Sequence, residues 1–580
     1  MSDKTQTQQP ASLGKVFRDL KPFLALAKPY KGRFALGYLL ALATLISSVG
    51  LLALSGWFIT ATAVAGLTVA TAQAFNFFTP GAGVRGFSIA RTAGRYGERL
   101  VTHDATFRLL AGLRVWFFEK VEPLAPAGLK GFRNSELLNR LVADIDTLDG
   151  LYLRLISPLL LAVAGTLALV ILAAWFSLDT ALMLLVVLLV AIVVLPGWFF
   201  RLGQKPGQRT VQAREILRNR LMDYVAGQTE LQIYGAAVRY RETIEDAESE
   251  VQVQERAMAR VAGLAILVIA LLTGATLAGV VLLGAVTIDG DLSLGHNHGP
   301  VLVMLTLATM AAFEAVMPLP SAFQMLGQTH SAATRLRDVT EQQPAVVFPA
   351  DGVVPELPMG ELQCSDIHFA YPNGLPVLNG LSLHIQPGER VALVGPTGCG
   401  KSSLLQLITR DWPYQGQITL DGQPLELLSE HQLRRSMAVM PQKVHIFSAT
   451  LRDNLLLAVD PDLAGTVSDD DLIEVLEHVG LTHIAPETNL LDTWLGAAGQ
   501  ALSGGEQRRI GIARVLLRLK DHQCSLVLLD EPTEGLDPDT EGRMISVLNE
   551  ALPGKTLLMV THRPAVLELV ERTVTLEPLS

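Results

Sequence analysis

Long, almost uncharged apolar runs occupy residues 34–62, 157–176, 180–200, 261–288 and 300–326, and a weaker run rich in Ala, Gly and Phe lies at 66–90. A helix rises about 1.5 Å per residue, so about 20 apolar residues cross a bilayer. The pattern therefore predicts six membrane-spanning helices. Lys and Arg are missing from the connections near 63–66, 177–179 and 289–299 but abundant at 91–154 and 201–260. By the positive-inside tendency both termini and both long basic connections face the cytoplasm. The connections are helical in pattern and too long for simple loops, so the helices are expected to extend well beyond the membrane.

A polar, Pro-containing stretch at 336–356 reads as a linker. Beyond it, short Val/Leu runs alternate with helical periods, the signature of an α/β domain. The expected organisation is a cytoplasmic lead-in at 1–32, an α-helical six-span membrane domain at 33–335, the linker at 336–356 and an α/β P-loop ATPase domain at 357–580. The lead-in is polar for too long to be a signal peptide and reads as an amphipathic helix lying at the membrane surface.

Composition sharpens this picture. The 580 residues exceed what one hydrophobic core supports. An apolar fraction of 49%, a charged fraction of 18% and a mean hydropathy of +0.35 place the chain with integral membrane proteins. A net charge of −10 with no basic domain argues against nucleic acid as a partner. The three cysteines, Cys364, Cys399 and Cys524, have no metal-ligand spacing and suit a reducing compartment.

The second domain carries the sharpest chemistry. VALVGPTGCGKSS, residues 391–403, is a strand followed by GxxxxGK[ST]. In such a loop (Gly395, Pro396, Thr397, Gly398, Cys399, Gly400) backbone amides close around phosphates at a helix N-terminus. Lys401 would reach the β and γ phosphates of ATP, and Ser402, followed by Ser403, would hold Mg²⁺. SLVLLDEP, residues 525–532, is an apolar strand ending in two carboxylates. Asp530 suits Mg²⁺, and Glu531 suits a general base for water. LSGGEQRR, residues 502–509, is a Ser-Gly-Gly turn opening a helix, a second phosphate-binding geometry in a domain that already has one.

Phosphate loop, LSGGE, LLDEP and a later histidine together resemble the nucleotide-binding domain of ABC transporters, and the whole chain resembles an ABC exporter half-transporter. The resemblance implies that Ser503, Gly504 and Gly505 complete the ATP site of a second subunit. It also implies that Tyr371 stacks on adenine, that Gln442 touches Mg²⁺, that Asp537 lies at the dimer seam, and that His562 senses the γ phosphate. Longer strings, among them LLALSGWFITATAVAG and LLNRLVADIDTLDGLYLRLISP, are similar to one half of the heterodimeric CydDC exporters. That family implies a CydD-like partner, a location in the bacterial inner membrane, a role in cytochrome bd assembly, and a reduced thiol or haem as cargo. Rival readings are an ATPase that regulates or assembles a membrane partner without moving cargo, and a lipid or peptide exporter. Two departures from the exporter pattern stand out: Ala497 replaces a customary glutamate, and VTLEPLS closes the sequence without the usual final strands and helix.

Two features of the membrane domain invite a cargo role. Arg91, Arg95, Arg99 and His103 are spaced four apart, on one face of a helix where the second span enters the cytoplasm. They read either as a topological anchor, with Arg95–Glu98 or Arg99–Asp104 pairs, or as a site for an anionic cargo whose histidine could ligate haem iron. Glu314, within the last apolar run and followed by Pro318 and Pro320, reads either as a cavity-facing charge with a role in cargo binding or gating or as a satisfied glutamate on a proline-kinked helix. His296 and His298 read as an exposed polar turn.

Overall fold

The computed structural model describes residues 13–132, 134–289, 298–352, 358–372, 374–485, 489–496 and 502–578. They form two compact units, one of Met1–Pro123 with Gly131–Gln342, the other of Leu124–Lys130 with Gln343–Ser580.

The first unit is helical: α1 (Leu13–Ala25), α2 (Lys31–Ala65), α3 (Val69–Ala74), α4 (Phe78–Val121), α5 (Asn134–Asn139), α6 (Ile145–Gly150), α7 (Ser157–Ala174), α8 (Leu178–Leu189), α9 (Leu195–Ala226), α10 (Gln228–Ile233), α11 (Ala237–Asp289), α12 (His298–Val316) and α13 (Leu319–Thr340). On α7, Ala162, Gly165, Thr166, Leu169 and Ala173 fall on one helical face and are buried, whereas Leu160, Val163, Leu167 and Ile171 are exposed. A helix apolar on both faces is built for lipid. The core gathers the inward faces, with Leu169, Leu184, Leu188, Phe199 and Leu305 fully buried. Small residues bring α2 and α4 into contact: a Cβ on Gly94 would lie 2.6 Å from Thr44 Oγ1.

Three expectations change. Among the described residues five helices are long and apolar enough to cross a membrane. The weak run at 66–90, the expected second span, is not among these five by hydropathy. It is broken into α3 and the start of α4, which is long enough but carries Arg85, Arg91, Arg95 and Arg99 along its length. The run at 300–326 is interrupted after Val316, and α13 restarts at Leu319 behind Pro318. Finally, helix continues past residue 335 to Thr340, because Leu336 and Val339 are buried and no breaker intervenes before Pro344.

Among its described residues the second unit has nine strands: β1 (Leu362–Ala370), β2 (Pro376–Ile385), β3 (Arg390–Val394), β4 (Gln415–Leu420), β5 (Gln423–Pro424), β6 (Met437–Met440), β7 (Leu526–Asp530), β8 (Thr556–Val560) and β9 (Arg572–Thr575). β2-β1-β4-β5 form an antiparallel sheet, and β6-β7-β8-β3-β9 a parallel one. Every residue of β7 and β8 is buried, as expected of strands covered on both faces. The helices that matter below are α14 (Lys401–Ile408), α15 (Glu430–Ser436), α16 (Leu451–Leu456), α17 (Asp469–His478), α18 (Gly504–Leu519) and α19 (Pro538–Ala551).

Candidate functional site

The parallel register decides where the motifs meet. Asp530, the last residue of β7, pairs with Val560, the last of β8, and Leu393 of β3 also pairs with Val560. The loops leaving β3, β6, β7 and β8 therefore emerge at the carboxyl edge of one sheet, where open α/β folds bind ligands.

The loop after β3 is shaped by glycine. Gly395, Gly398 and Gly400 have φ of 149°, 88° and 100°, and a Cβ on Gly395 would lie 2.4 Å from the Leu576 carbonyl oxygen. Gly400 caps α14 from the left-handed region. Lys401 Nζ donates to the carbonyls of Gly395 (2.7 Å) and Pro396 (2.9 Å) and lies 3.8 Å from Cys399 Sγ, folded over the loop it would share with phosphates. Pro396, Thr397 and Cys399 complete the turn.

Asp530 and Glu531 have different surroundings. Burial pushes the Asp530 carboxyl up, and the nearby Glu531 and Glu534 add to this, against a hydrogen bond from Ser402 and the charge of Lys401. Its Oδ1 is buried with no hydrogen-bond partner. An orphaned buried carboxylate oxygen beside a serine hydroxyl is a donor set that fits Mg²⁺. Glu531 adopts φ of 50°. Its Oε2 accepts from Gln442 Nε2 at 3.2 Å, and His562 Nδ1 is 3.2 Å from its Oε1. Two residues far apart in sequence, Gln442 and His562, thus converge on one carboxylate, a geometry able to orient a water for attack. Sequence reasoning missed Arg508, which donates to the Glu531 carbonyl (2.7 Å) and to Glu534 (2.6 Å). Through that bond Arg508 holds the Glu534 carboxyl below its usual range.

The Ser-Gly-Gly turn lies elsewhere. Ser503 caps α18 in a reciprocal capping box with Glu506. Burial would raise the Glu506 carboxyl, but the Ser503 bonds and His483 outweigh it and keep it low. Ser503, Gly504, Gly505, Gln442, Arg508, Glu534 and Asp537 line a cavity of about 740 Å³ that includes no residue of the loop after β3. Asp537 caps α19 by accepting from the Thr540 amide at 3.0 Å. Within one chain the two phosphate-binding geometries are separate.

Tyr371, just after β1, is half-buried. Its hydroxyl bonds Ser403 Oγ (3.0 Å) and Gln406 Oε1 (3.1 Å) on α14. The ring makes edge contacts with Phe369 (4.8 Å) and Trp412 (5.2 Å). Ala497 and His296 lie outside the described residues, as does the side chain of His298.

In the membrane unit, Arg91, Arg95 and Arg99 line a recess of about 270 Å³ with Thr92 and Tyr96. His103 is exposed and lies outside that lining, with its ring 6.0 Å from Phe107. The Arg99–Asp104 pair is not formed, because Asp104 is held by Arg33 and by Arg108 at 3.0 Å. Glu314 is exposed on α12, one turn before the break at Pro318.

A bundle of membrane-length helices joined to a sheet that presents P-loop, adjacent carboxylates and signature turn at its edges defines an ABC transporter half. Family models agree: "ABC transporter transmembrane region" matches residues 40–311 and "ABC transporter" matches 378–534. Proteins named "Glutathione/L-cysteine transport system ATP-binding/permease protein CydC" are similar over nearly the full length. The one from Escherichia coli K12 is 44% identical over 94% of this chain and 93% of its own, and the one from Haemophilus influenzae 41% identical over 96% and 94%. A CydD protein of the same system in Bacillus subtilis is 29% identical over 94% and 92%. This chain belongs to the CydC family of ABC transporters. It is a multi-pass membrane protein that hydrolyses ATP to drive transport as a half-transporter.

Proposed function

We propose that the chain pairs with a CydD-like half in the bacterial inner membrane, with both termini and the ATPase domain in the cytoplasm, and exports a small carboxylate-bearing thiol such as cysteine or glutathione in support of cytochrome bd assembly. Here α4 acts as the sixth membrane helix, and lipid covers the outward apolar faces. ATP lies on the loop Gly395–Ser403 with Lys401 at its phosphates and adenine on Tyr371. Ser402, Gln442 and Asp530 hold Mg²⁺, which neutralises phosphate charge when bound. Glu531 takes the proton of the attacking water, and His562 faces the γ phosphate. Ser503, Gly504, Gly505 and Asp537 serve the ATP bound by the partner.

The observation that carries the cargo reading is the recess with three guanidinium groups on one helix face. Arginines take carboxylates bidentately, and both thiols carry carboxylates. The exposed His103, one turn beyond Arg99 and without a hydrogen-bond partner among the described residues, supports haem as a second ligand: an axial nitrogen beside arginines for propionates. Glu314 is the other candidate contact. In the reconstituted complex, Arg99→Ala is expected to reduce stimulation of ATPase by glutathione at least several-fold. His103→Ala is expected to spare that stimulation and to shift the Soret band of added haem. Unchanged stimulation by both ligands in Arg99→Ala would leave the stripe as a topological anchor.

A further inference from the structure

The segment Leu124–Lys130 is covalently part of the connection between α4 and α5, yet it clusters with the ATPase unit. Leu124 is buried, and Ala127 packs against the core cluster that contains Phe369 and Trp412. This packing delivers Lys130 to an aromatic surface. Its Nζ stands 3.5 Å from the centroid of the Tyr371 ring and 4.8 Å from that of Trp412. Among the described residues no carboxylate pairs with it and no acceptor receives its protons, so the ring faces alone hold the ammonium. Tyr371 cannot turn away, because its hydroxyl is tied to Ser403 and Gln406 in the first turns of the P-loop helix.

We propose that Lys130 is a displaceable cap on the nucleotide-base platform: the ammonium occupies the face of Tyr371 on which adenine stacks, so base and cap exclude one another there. The inference rests on the reading of Tyr371 as that platform. A cation over a ring and a base stacked on it need the same few ångströms above the same π face. ATP binding then lifts Lys130, and with it the end of a segment that continues into α4, the helix bearing the arginine stripe, on one side and into α5 on the other. Base occupancy is thereby reported to the membrane unit by a single side chain. The cost of lifting the cap also lowers apparent ATP affinity in the resting protein.

Equilibrium binding of Mg-ATP and of Mg-tripolyphosphate, which lacks a base, to the complete transporter separates the cap from its alternatives. Lys130→Ala should tighten ATP binding by on the order of two- to fivefold, the range of an exposed cation–π contact, and leave tripolyphosphate unchanged. Lys130→Arg, which keeps a cation over the ring, should behave as wild type. Weakened binding of both ligands by Lys130→Ala would make Lys130 a phosphate contact and overturn the cap. Equal tightening of both, or no change in either, overturns it as well. Tyr371→Ala tests the platform separately: it should weaken ATP and spare tripolyphosphate. If it leaves ATP unchanged, the platform reading fails and takes the cap with it. If it weakens ATP while Lys130→Ala does nothing, only the cap is wrong.

Discussion

Glu531 holds a backbone conformation that costs a non-glycine residue on the order of 1–3 kcal/mol. Its surroundings enforce the choice: its amide donates to the Val560 carbonyl at 2.9 Å, and its own carbonyl is gripped by Arg508. The consequence is two neighbouring carboxylates with different surroundings, Asp530 buried toward Ser402 and Glu531 turned to Gln442 and His562. Glu531→Gln keeps the shape and removes the proposed base, so ATP turnover should fall by on the order of 10² to 10⁴ while ATP still binds. Steady-state ATPase and nucleotide binding on the purified complex check this, and near-normal turnover would move hydrolysis to the partner's site. Gly395→Ala places a methyl group 2.4 Å from the Leu576 carbonyl at a φ of 149°. ATP binding should be lost in a fluorescence titration, whereas wild-type affinity would mean that the loop adapts.

At this scale the sequence was legible where a motif is contiguous. The P-loop, LLDEP and Ser-Gly-Gly turn announce their chemistry by local spacing. Arg508 lies inside a quoted motif, yet its target is set by β7 and β8 meeting in register. Lys130 and Trp412 carry no local signal, because what places them against Tyr371 is packing between distant parts of the chain.

Among the elements, the stretch from α5 to α7 is not a plain helix. It widens into π-helical turns at Arg140–Asp144 and Leu151–Ile156. The first carries Asp144, which is 3% exposed and grips Arg335 of α13 through two hydrogen bonds, one of 2.9 Å. Removing one partner strands a buried charge, at a typical cost of about 3–5 kcal/mol. Arg335→Ala should therefore lower the thermal transition of the detergent-solubilised protein by several degrees. Asp144→Leu combined with Arg335→Leu should recover much of the loss. An unchanged transition in Arg335→Ala would mean that the pair contributes nothing. Hydropathy found most helices because lipid-facing and core-facing positions are both apolar. It missed the divided start of α4, whose arginines dilute the apolar run, and the break at Pro318, which an apolar average passes over.

For the whole molecule, the separation of the cavity at Ser503–Gly505 from the loop Gly395–Ser403 is what a dimeric ATPase requires. Expressed without its partner, this chain should show little thiol-stimulated ATPase, and adding a CydD-like half should restore it. Full stimulation of a purified homodimer would remove the need for the heterodimer. Oligomerisation was legible only through resemblance, since a signature turn without its phosphate looks like an ordinary helix cap.

The most direct measurement is uptake of radiolabelled glutathione and cysteine into sealed inside-out vesicles containing the purified heterodimer. ATP-dependent accumulation is expected, lost with Glu531→Gln in this subunit and reduced with Arg99→Ala. Vigorous ATP hydrolysis with no accumulation of either thiol would contradict export and make the chain a regulator or assembly ATPase instead.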